Sequence, residues 1–372
     1  MPFMQLLKRR DPRIDFVRGI CLCCIFLDHT FDQLILHSFA ACDAADVFVF
    51  LSGISATLAY TGKLERLGWW PTAKAVLRRV RTIYLANLLL IVSIAATLML
   101  HRRFGWQEMQ DAFGWGGEPL SILGLLRLVL LIDRPKHLEI LPLYIMLLGW
   151  FAVLLPMIKR PLATLALSAT VWAGAHAMHP GSSVFAGNGF NPVAWQLTFM
   201  LGVLCCRHAG VLRRIPPFPL DILAYCVMAA GLAAHPLLRS GDPWMTYDQL
   251  GLPLRVLLRG SNKFDVDPGR LIALLAFAWT VWRHLGADAP WMRRNWAGIL
   301  IMLGQRSLPV FTAGILLTGL GRWLLLAWHS SAIAEILVTI AGLAGMVVIA
   351  WISALWPRVI WRPGERVLIG AM

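Results

Sequence analysis

His29 and Asp28 stand side by side near the end of an apolar run, Ile14 to Thr30, that also carries Asp15 and Arg18. An imidazole titrates near neutral pH, so histidine is well suited to take a proton from a hydroxyl and return it to a leaving group. A carboxylate beside it fixes the ring tautomer and stabilises the imidazolium. Ionisable groups at bilayer depth cost about 2.5–3.5 kcal/mol each on insertion scales. Standing alone, His29 reads more readily as a buried histidine bonded to a neighbouring helix than as a catalytic group. In the company of Asp28, Arg18 and Asp15 it reads as a proton-transfer group.

Those residues need an element to align them. Taken as a helix, the first run turns about 100° per residue. His29 then lies about 20° from Arg18, Asp15 about 60°, Asp32 about 40° to the other side and Asp28 about 80° away. The polar groups form one stripe on an otherwise apolar helix, and such a stripe faces a bundle interior or a water-filled cavity. The rise from Phe16 to His29 is about 20 Å, which sets His29 past the midplane and Arg18 near one surface. Guanidinium groups pair well with phosphate, so Arg18 with Arg78, Arg79 and Arg81 suits a phosphate-bearing donor entering from that surface. A hydroxyl acceptor would come from the other.

Further candidates open or interrupt later apolar runs. Asp46 precedes a run with Ser52, Gly53 and Ser55; it is either a site carboxylate or a favourable partner for a helix N-terminus. The two serines also suit close helix packing. Glu139 precedes Pro142 at a boundary where a carboxylate is cheap. Gln196, following Asn191, either bonds a sugar or joins two helices. Arg306 sits in Gly304-Gln305-Arg306-Ser307-Leu308-Pro309, and either binds an acid group or pairs with an aspartate of the first span.

The whole composition agrees with a membrane setting. The 372 residues are 58% hydrophobic and only 15% charged, with a mean hydropathy of +0.66, whereas a soluble domain is about 25% charged. Ten spans are predicted, at 16–36, 44–61, 82–100, 138–158, 161–178, 192–207, 218–236, 269–285, 297–318 and 332–356, forming one all-α polytopic domain over 1–372. Leu120 to Leu131 is too short to span and suits a surface or re-entrant helix. The net charge of +14 falls in short clusters between spans, which fits the positive-inside rule and contact with anionic membrane lipids and argues against nucleic acid. Lys and Arg concentrate in alternate connections, placing both termini in the cytoplasm and the long segments 101–137 and 237–268 outside. Their tryptophans stack on sugar faces or anchor in the interface. The N-terminal run, long and lacking a small-residue cleavage site, reads as an uncleaved first span. Six of the seven cysteines lie in apolar runs and no metal-ligand spacing occurs, so no metal is expected.

The motifs resemble one known family. Arg-x-Asp-x-x-Arg-Gly followed by Asp-His, then Asp-Ala-Ala-Asp-Val-Phe-Val-Phe-Leu-Ser-Gly, Leu-Pro-Leu-Tyr, Asn-Pro-x-Ala-Trp-Gln-Leu-x-Phe and Ser-Leu-Pro-Val-Phe occur in series. Together they are similar to the OpgC family, whose namesake succinylates osmoregulated periplasmic glucans. The segment Ser261 to Asp265 is loosely similar to an outer loop of that family. The resemblance implies a ten-helix inner-membrane acyltransferase bundle. It implies transfer of an acyl group from cytoplasmic acyl-CoA, succinyl-CoA in the namesake, to a glucan hydroxyl, with no bound cofactor. By matching position His29 is the general base and Asp28 its partner, with Arg18, Asp15 and Asp46 lining the site. A glucan synthase is an implied partner. Intramembrane Asp and His also suit a rival, a proton-coupled transporter or flippase for a glycan or lipid-linked sugar. A non-catalytic subunit of a glycan synthase is a second rival.

Overall fold

The computed structural model describes residues 11–31, 38–39, 42–101, 106–113, 122–131, 137–177, 190–212, 214–239, 265–286, 288–328 and 331–355. Within them the chain is all-α apart from one antiparallel pair of two-residue strands, β1 (Ser38–Phe39) and β2 (Cys42–Asp43). The first helix, α1 (Pro12–Thr30), starts where Asp11 accepts from the Arg13 backbone N–H at 3.0 Å and Pro12 supplies a pre-set first turn. It stops at Phe31, whose backbone is extended. The predicted span 16–36 is therefore shifted towards the N-terminus, and Asp32 lies outside the described residues.

Helix α2 (Ala44–Leu67) begins with a capping box: Asp43 accepts from Ala45 N and Asp46 accepts from Asp43 N, both at 2.9 Å. It ends at Gly68, which takes φ +79, the left-handed region that costs glycine little. The next helix, α3 (Trp69–His101), has 33 residues and a length of about 50 Å. The prediction of 82–100 captured only its apolar part. Pro71 is tolerated in the first turn, and with no breaker afterwards the basic stretch from Lys74 to Arg81 joins the helix instead of forming a connection.

Short helices α4 (Trp106–Ala112) and α5 (Ile122–Val129) follow, the second within the segment expected not to span. Then come α6 (Ile140–Leu154), α7 (Pro161–Ala177), α8 (Pro192–Arg207), the one-turn α9 (Ala209–Leu212), α10 (Pro217–Arg239) and α11 (Pro268–His284). Helix α6 stops four residues before the predicted 158, and a 3-10 turn covers Met157–Lys159.

The predicted span 297–318 is two helices, α12 (Asn295–Gln305) and α13 (Ser307–Ala327). Arg306 divides them with φ −106 and ψ 32, outside the helical region. Hydropathy runs through this break because the stretches beyond Gly304 and Ser307 on either side are apolar. The last described helix is α14 (Ala332–Leu355).

Among the described residues, four helices are long and apolar enough to cross a membrane: Ala44–Leu67, the Trp69–Leu100 part of α3, Ser307–Ala327 and Ala332–Leu355. Ile140–Leu154, Pro192–Arg207 and Pro217–Leu232 are apolar but shorter. Three of the ten expected spans, 44–61, 82–100 and 332–356, fall on such single helices, and part of a fourth, 297–318, falls on Ser307–Ala327.

Two glycine crossings position the site helices. A Cβ at Gly53 of α2 would collide with the Phe199 carbonyl of α8, and one at Gly202 with the Phe50 carbonyl. On α1, a Cβ at Gly19 would strike the Leu300 carbonyl of α12, and one at Gly304 the Asp15 carbonyl. Backbone approach this close is the usual role of small residues between apolar helices. Trp195, Phe199, Phe151 and Phe26 are among the largest fully buried side chains.

Candidate functional site

Helix α1 runs parallel to α13. Arg18 shares a cavity with Ser307, the Thr30 methyl packs beside Gly321, and Arg322 Nη1 donates to the His29 carbonyl at 3.1 Å. Neighbours therefore climb together along both helices.

The cavity near the Pro12 end measures about 180 Å³. Its polar lining comes from Arg18, Ser52, Ser55, Tyr60, Arg79, Tyr144 and Ser307, and its apolar walls from residues such as Phe48, Ile140 and Phe311. Arg18 is buried, and its Nη2 donates to the Leu51 carbonyl at 3.1 Å and Ser55 Oγ at 2.5 Å. Among the described residues two guanidinium groups and no carboxylate line this space, so it suits an anion. Of the three arginines expected to hold phosphate, only Arg79 lines it. Arg78 and Arg81, exposed like Arg79 itself, do not line it, and Arg78 Nε reaches back to the Lys74 carbonyl at 3.4 Å.

His29 lies eleven residues beyond Arg18 on α1, about 16 Å along the axis. The single cavity expected from the polar stripe is two separate spaces. His29 lines a small crevice of about 10 Å³ with Leu22, Phe26, Phe311, Gly314 and Thr318. Phe311 lines both spaces and is the wall between them. The His29 ring packs on His137 with centroids 4.4 Å apart. His137 itself holds φ +71, a conformation rare outside glycine and concentrated at functional sites. Asp28 and His29 are both half-buried.

The other expected residues have defined places. Asp46 is buried and bonds Arg270 of α11, which also meets Asp43 Oδ2 at 3.0 Å. Gln196 Nε2 donates to the Ser168 carbonyl of α7 at 2.7 Å, joining two helices. Asn191 caps α8 and donates to Asp265 Oδ1 at 3.0 Å. Glu139 occupies the N-cap position of α6, where its carbonyl accepts from Leu143 N at 3.2 Å. Asp15 is buried against Gly304, and Arg306 forms the α12–α13 joint two residues further on. Of the segment Ser261–Asp265 only Asp265 lies within the described residues; Trp115, Trp244 and Tyr247 lie outside them.

Three residues that meet the expected ones escaped the sequence reading: Arg270 beside Asp46, His137 against His29 and Thr318 in the crevice wall. Arg270 had a signal, a lone cation entering an apolar run just after Pro268. Thr318 and His137 had none, because their importance depends on which helix face they meet.

A family model described as OpgC protein matches residues 10–358. The chain belongs to the OpgC family. Its membership implies a transferase-type activity of the glucan-modifying acyltransferase kind. The apolar helices agree with a membrane protein. No curated protein and no solved structure matches the chain at a significant level.

Proposed function

We propose that this OpgC-family chain is an integral membrane O-acyltransferase that moves a succinyl group from cytoplasmic succinyl-CoA to hydroxyls of a periplasmic glucan or related glycan. It sits in the bacterial inner membrane as a ten-span bundle with both termini cytoplasmic. Acyl-CoA is a co-substrate, and a glucan synthase is the natural neighbour.

One observation carries the reading: the spacing of Arg18 and His29 on α1, opposite Ser307 and Thr318 on a parallel helix. An anionic group held by Arg18 and Arg79 is about 16 Å from the imidazole. A small activated acyl group cannot touch both. A donor with a phosphate end and a long arm can, and acyl-CoA is built that way. Phe311 must turn aside for the arm to pass.

In the transfer His29 takes the proton of the acceptor hydroxyl as its oxygen attacks the thioester carbonyl. The tetrahedral adduct collapses, the C–S bond breaks, and the thiolate leaves with the proton returned by His29. Asp28 steadies the imidazolium. Asp15, Asp46, Glu139, Gln196 and Arg306 hold the helices that frame these two spaces.

The test is purified protein in lipid nanodiscs with succinyl-CoA and periplasmic glucan. The expected result is stoichiometric release of CoA and gain of succinyl ester on the glucan, lost by a factor of about 10² to 10⁴ in His29→Ala. A correctly folded His29→Ala protein that transfers at the normal rate overturns the mechanism. Glycan movement across the bilayer without CoA release overturns the enzyme reading in favour of a transporter.

A further inference from the structure

The cavity that Arg18 and Arg79 share encloses about 180 Å³. Pockets that enclose a whole drug-sized ligand measure about 300–1,000 Å³, and an acyl-CoA is larger than such a ligand. Only a piece of the donor fits. Wall chemistry and reach say which piece.

Arg18 is buried and fixed by its bonds to the Leu51 carbonyl and Ser55 Oγ. Arg79 lines the same space while remaining exposed, so it stands at an opening. Together they suit a phosphate. The other walls mix hydroxyls, those of Tyr60, Tyr144 and Ser307, with the hydrocarbon of Ile140, Leu148 and Phe311. Such walls match the hydroxyl and paired methyl groups that follow the phosphate in the pantetheine arm. Among the described residues no Asn, Gln, Asp or Glu lines the space, so it lacks the amides and carboxylates that read a purine edge or a ribose hydroxyl.

His29 is about 16 Å from Arg18 along α1. From phosphorus to sulfur the pantetheine arm has about thirteen bonds, and an extended chain advances about 3.3–3.6 Å for every three, so the arm spans about 15 Å. The phosphate that bears the arm matches this interval. The 3′-phosphate of CoA does not, because with that group at Arg18 the ribose and the diphosphate add their own length before the arm begins.

We infer that recognition of the donor ends at the phosphate of the 4′-phosphopantetheine arm, and that the adenosine projects through the opening beside Arg79 without being held. This rests on the acyltransferase reading above and narrows its donor. The substrate class is any acyl thioester of 4′-phosphopantetheine, with the nucleotide dispensable.

Three donors test this on the full chain in phosphatidylcholine nanodiscs with glucan: succinyl-CoA, succinyl-4′-phosphopantetheine and succinyl-pantetheine, which lacks the phosphate. The phosphopantetheine thioester should match succinyl-CoA in kcat/KM to within about threefold, and the pantetheine thioester should fall about 100-fold below both, the loss expected for charge-assisted contacts. Arg79→Ala should lower kcat/KM for the two phosphorylated donors about 10- to 100-fold and leave succinyl-pantetheine unchanged, whereas a folding defect would lower all three. A phosphopantetheine thioester as poor as the pantetheine one, beside an active succinyl-CoA, overturns the inference and leaves the acyltransferase reading intact. Inactivity of all three donors removes that reading, and the inference falls with it. Binding gives a second readout that needs no turnover. Unacylated 4′-phosphopantetheine should displace succinyl-CoA from the nanodiscs and adenosine 3′,5′-bisphosphate should not; the reverse order overturns the inference. Displacement of 4′-phosphopantetheine by phosphatidylglycerol added to the disc would make a lipid headgroup the occupant and overturn it as well.

Discussion

Arg270 of α11 and Asp46 of α2 form a buried ion pair at the end of α2 that carries the capping box. Arg270 also meets Asp43 at 3.0 Å, so one guanidinium compensates two carboxylates. The arrangement explains why a membrane helix can begin with two aspartates. It also gives Asp46 a structural duty beside any catalytic one. Removing the cation leaves both acids buried with their main compensation gone, which typically costs about 3–5 kcal/mol. Arg270→Met should therefore lower the unfolding temperature markedly. Asp46→Asn should lose less, because Asp43 keeps its partner. A double-mutant cycle on Asp46→Asn and Arg270→Met, read by thermal unfolding in detergent, should show strong coupling. Additive losses would contradict the pairing.

The basic stretch of α3 divides into two sets. All three arginines are exposed, but only Arg79 lines the cavity with Arg18. Helical rotation forces this, since Arg79 stands about 100° from Arg78 and about 160° from Arg81. Arg79→Ala should raise KM for succinyl-CoA about 10- to 100-fold, the worth of a charge-assisted hydrogen bond. Arg78→Ala and Arg81→Ala should change it less than about twofold, as expected for exposed charges that do not line the cavity. Steady-state kinetics of the three single variants separate the two cases, and equal effects at all three positions would refute the division.

How much of this was legible in the sequence depended on whether local pattern or helix register decided it. The first helix was legible because Arg18 and His29 fall at helical spacing in an apolar run, and Asp11-Pro12 marks its start. The break at Arg306 was not, because the short polar stretch Gln305 to Ser307 is flanked by apolar runs ending at Leu303 and starting at Leu308. The basic stretch 74–81 looked like a connection, because charge density conceals helix propensity when no breaker is sought. The division of the polar stripe into two spaces was beyond reach. It follows from Phe311 entering between Arg18 and His29 from another helix. Thr318 is invisible for the same reason: a threonine in an apolar helix is common, and only the partner helix shows that it meets the His29 crevice.

The α2–α8 crossing has no slack. A methyl group at either Gly53 or Gly202 would run into the partner helix's carbonyl oxygen, and backbone cannot move aside as a flexible side chain can. Gly53→Ala or Gly202→Ala should push the helices apart and cost about 1–3 kcal/mol, the usual range for overpacking. Since Ser52 and Ser55 flank Gly53 and line the Arg18 cavity, the shift should also weaken donor binding. Gly149, whose Cβ would meet nothing within 4 Å, is the control: Gly149→Ala should be neutral or slightly stabilising, because it restrains the unfolded chain. Unfolding temperatures of the three variants in one detergent decide the matter.

Cys42 in β2 lies outside the helices, one residue before Asp43, with its thiol donating to the Phe39 carbonyl at 3.2 Å. Burial pushes this thiol well above its usual range, and the charges of Asp46 and Asp43 push it further. A thiol so placed stays protonated at neutral pH, and only the thiolate attacks electrophiles. A variant retaining Cys42 as its sole cysteine should therefore resist maleimide at pH 8 while folded and react at once in denaturing detergent. The same shift links folding to alkali. The folded state holds the proton that the unfolded chain releases near pH 8.5, so this group's contribution is complete below that pH and is lost as pH rises above it. Comparing the unfolding temperature of this variant with that of its Cys42→Ala counterpart between pH 7 and 10 should show the thiol protein losing ground as the pH climbs. Parallel curves, or rapid labelling of the folded protein, would place the Cys42 thiol in water instead of behind the β1–β2 hairpin.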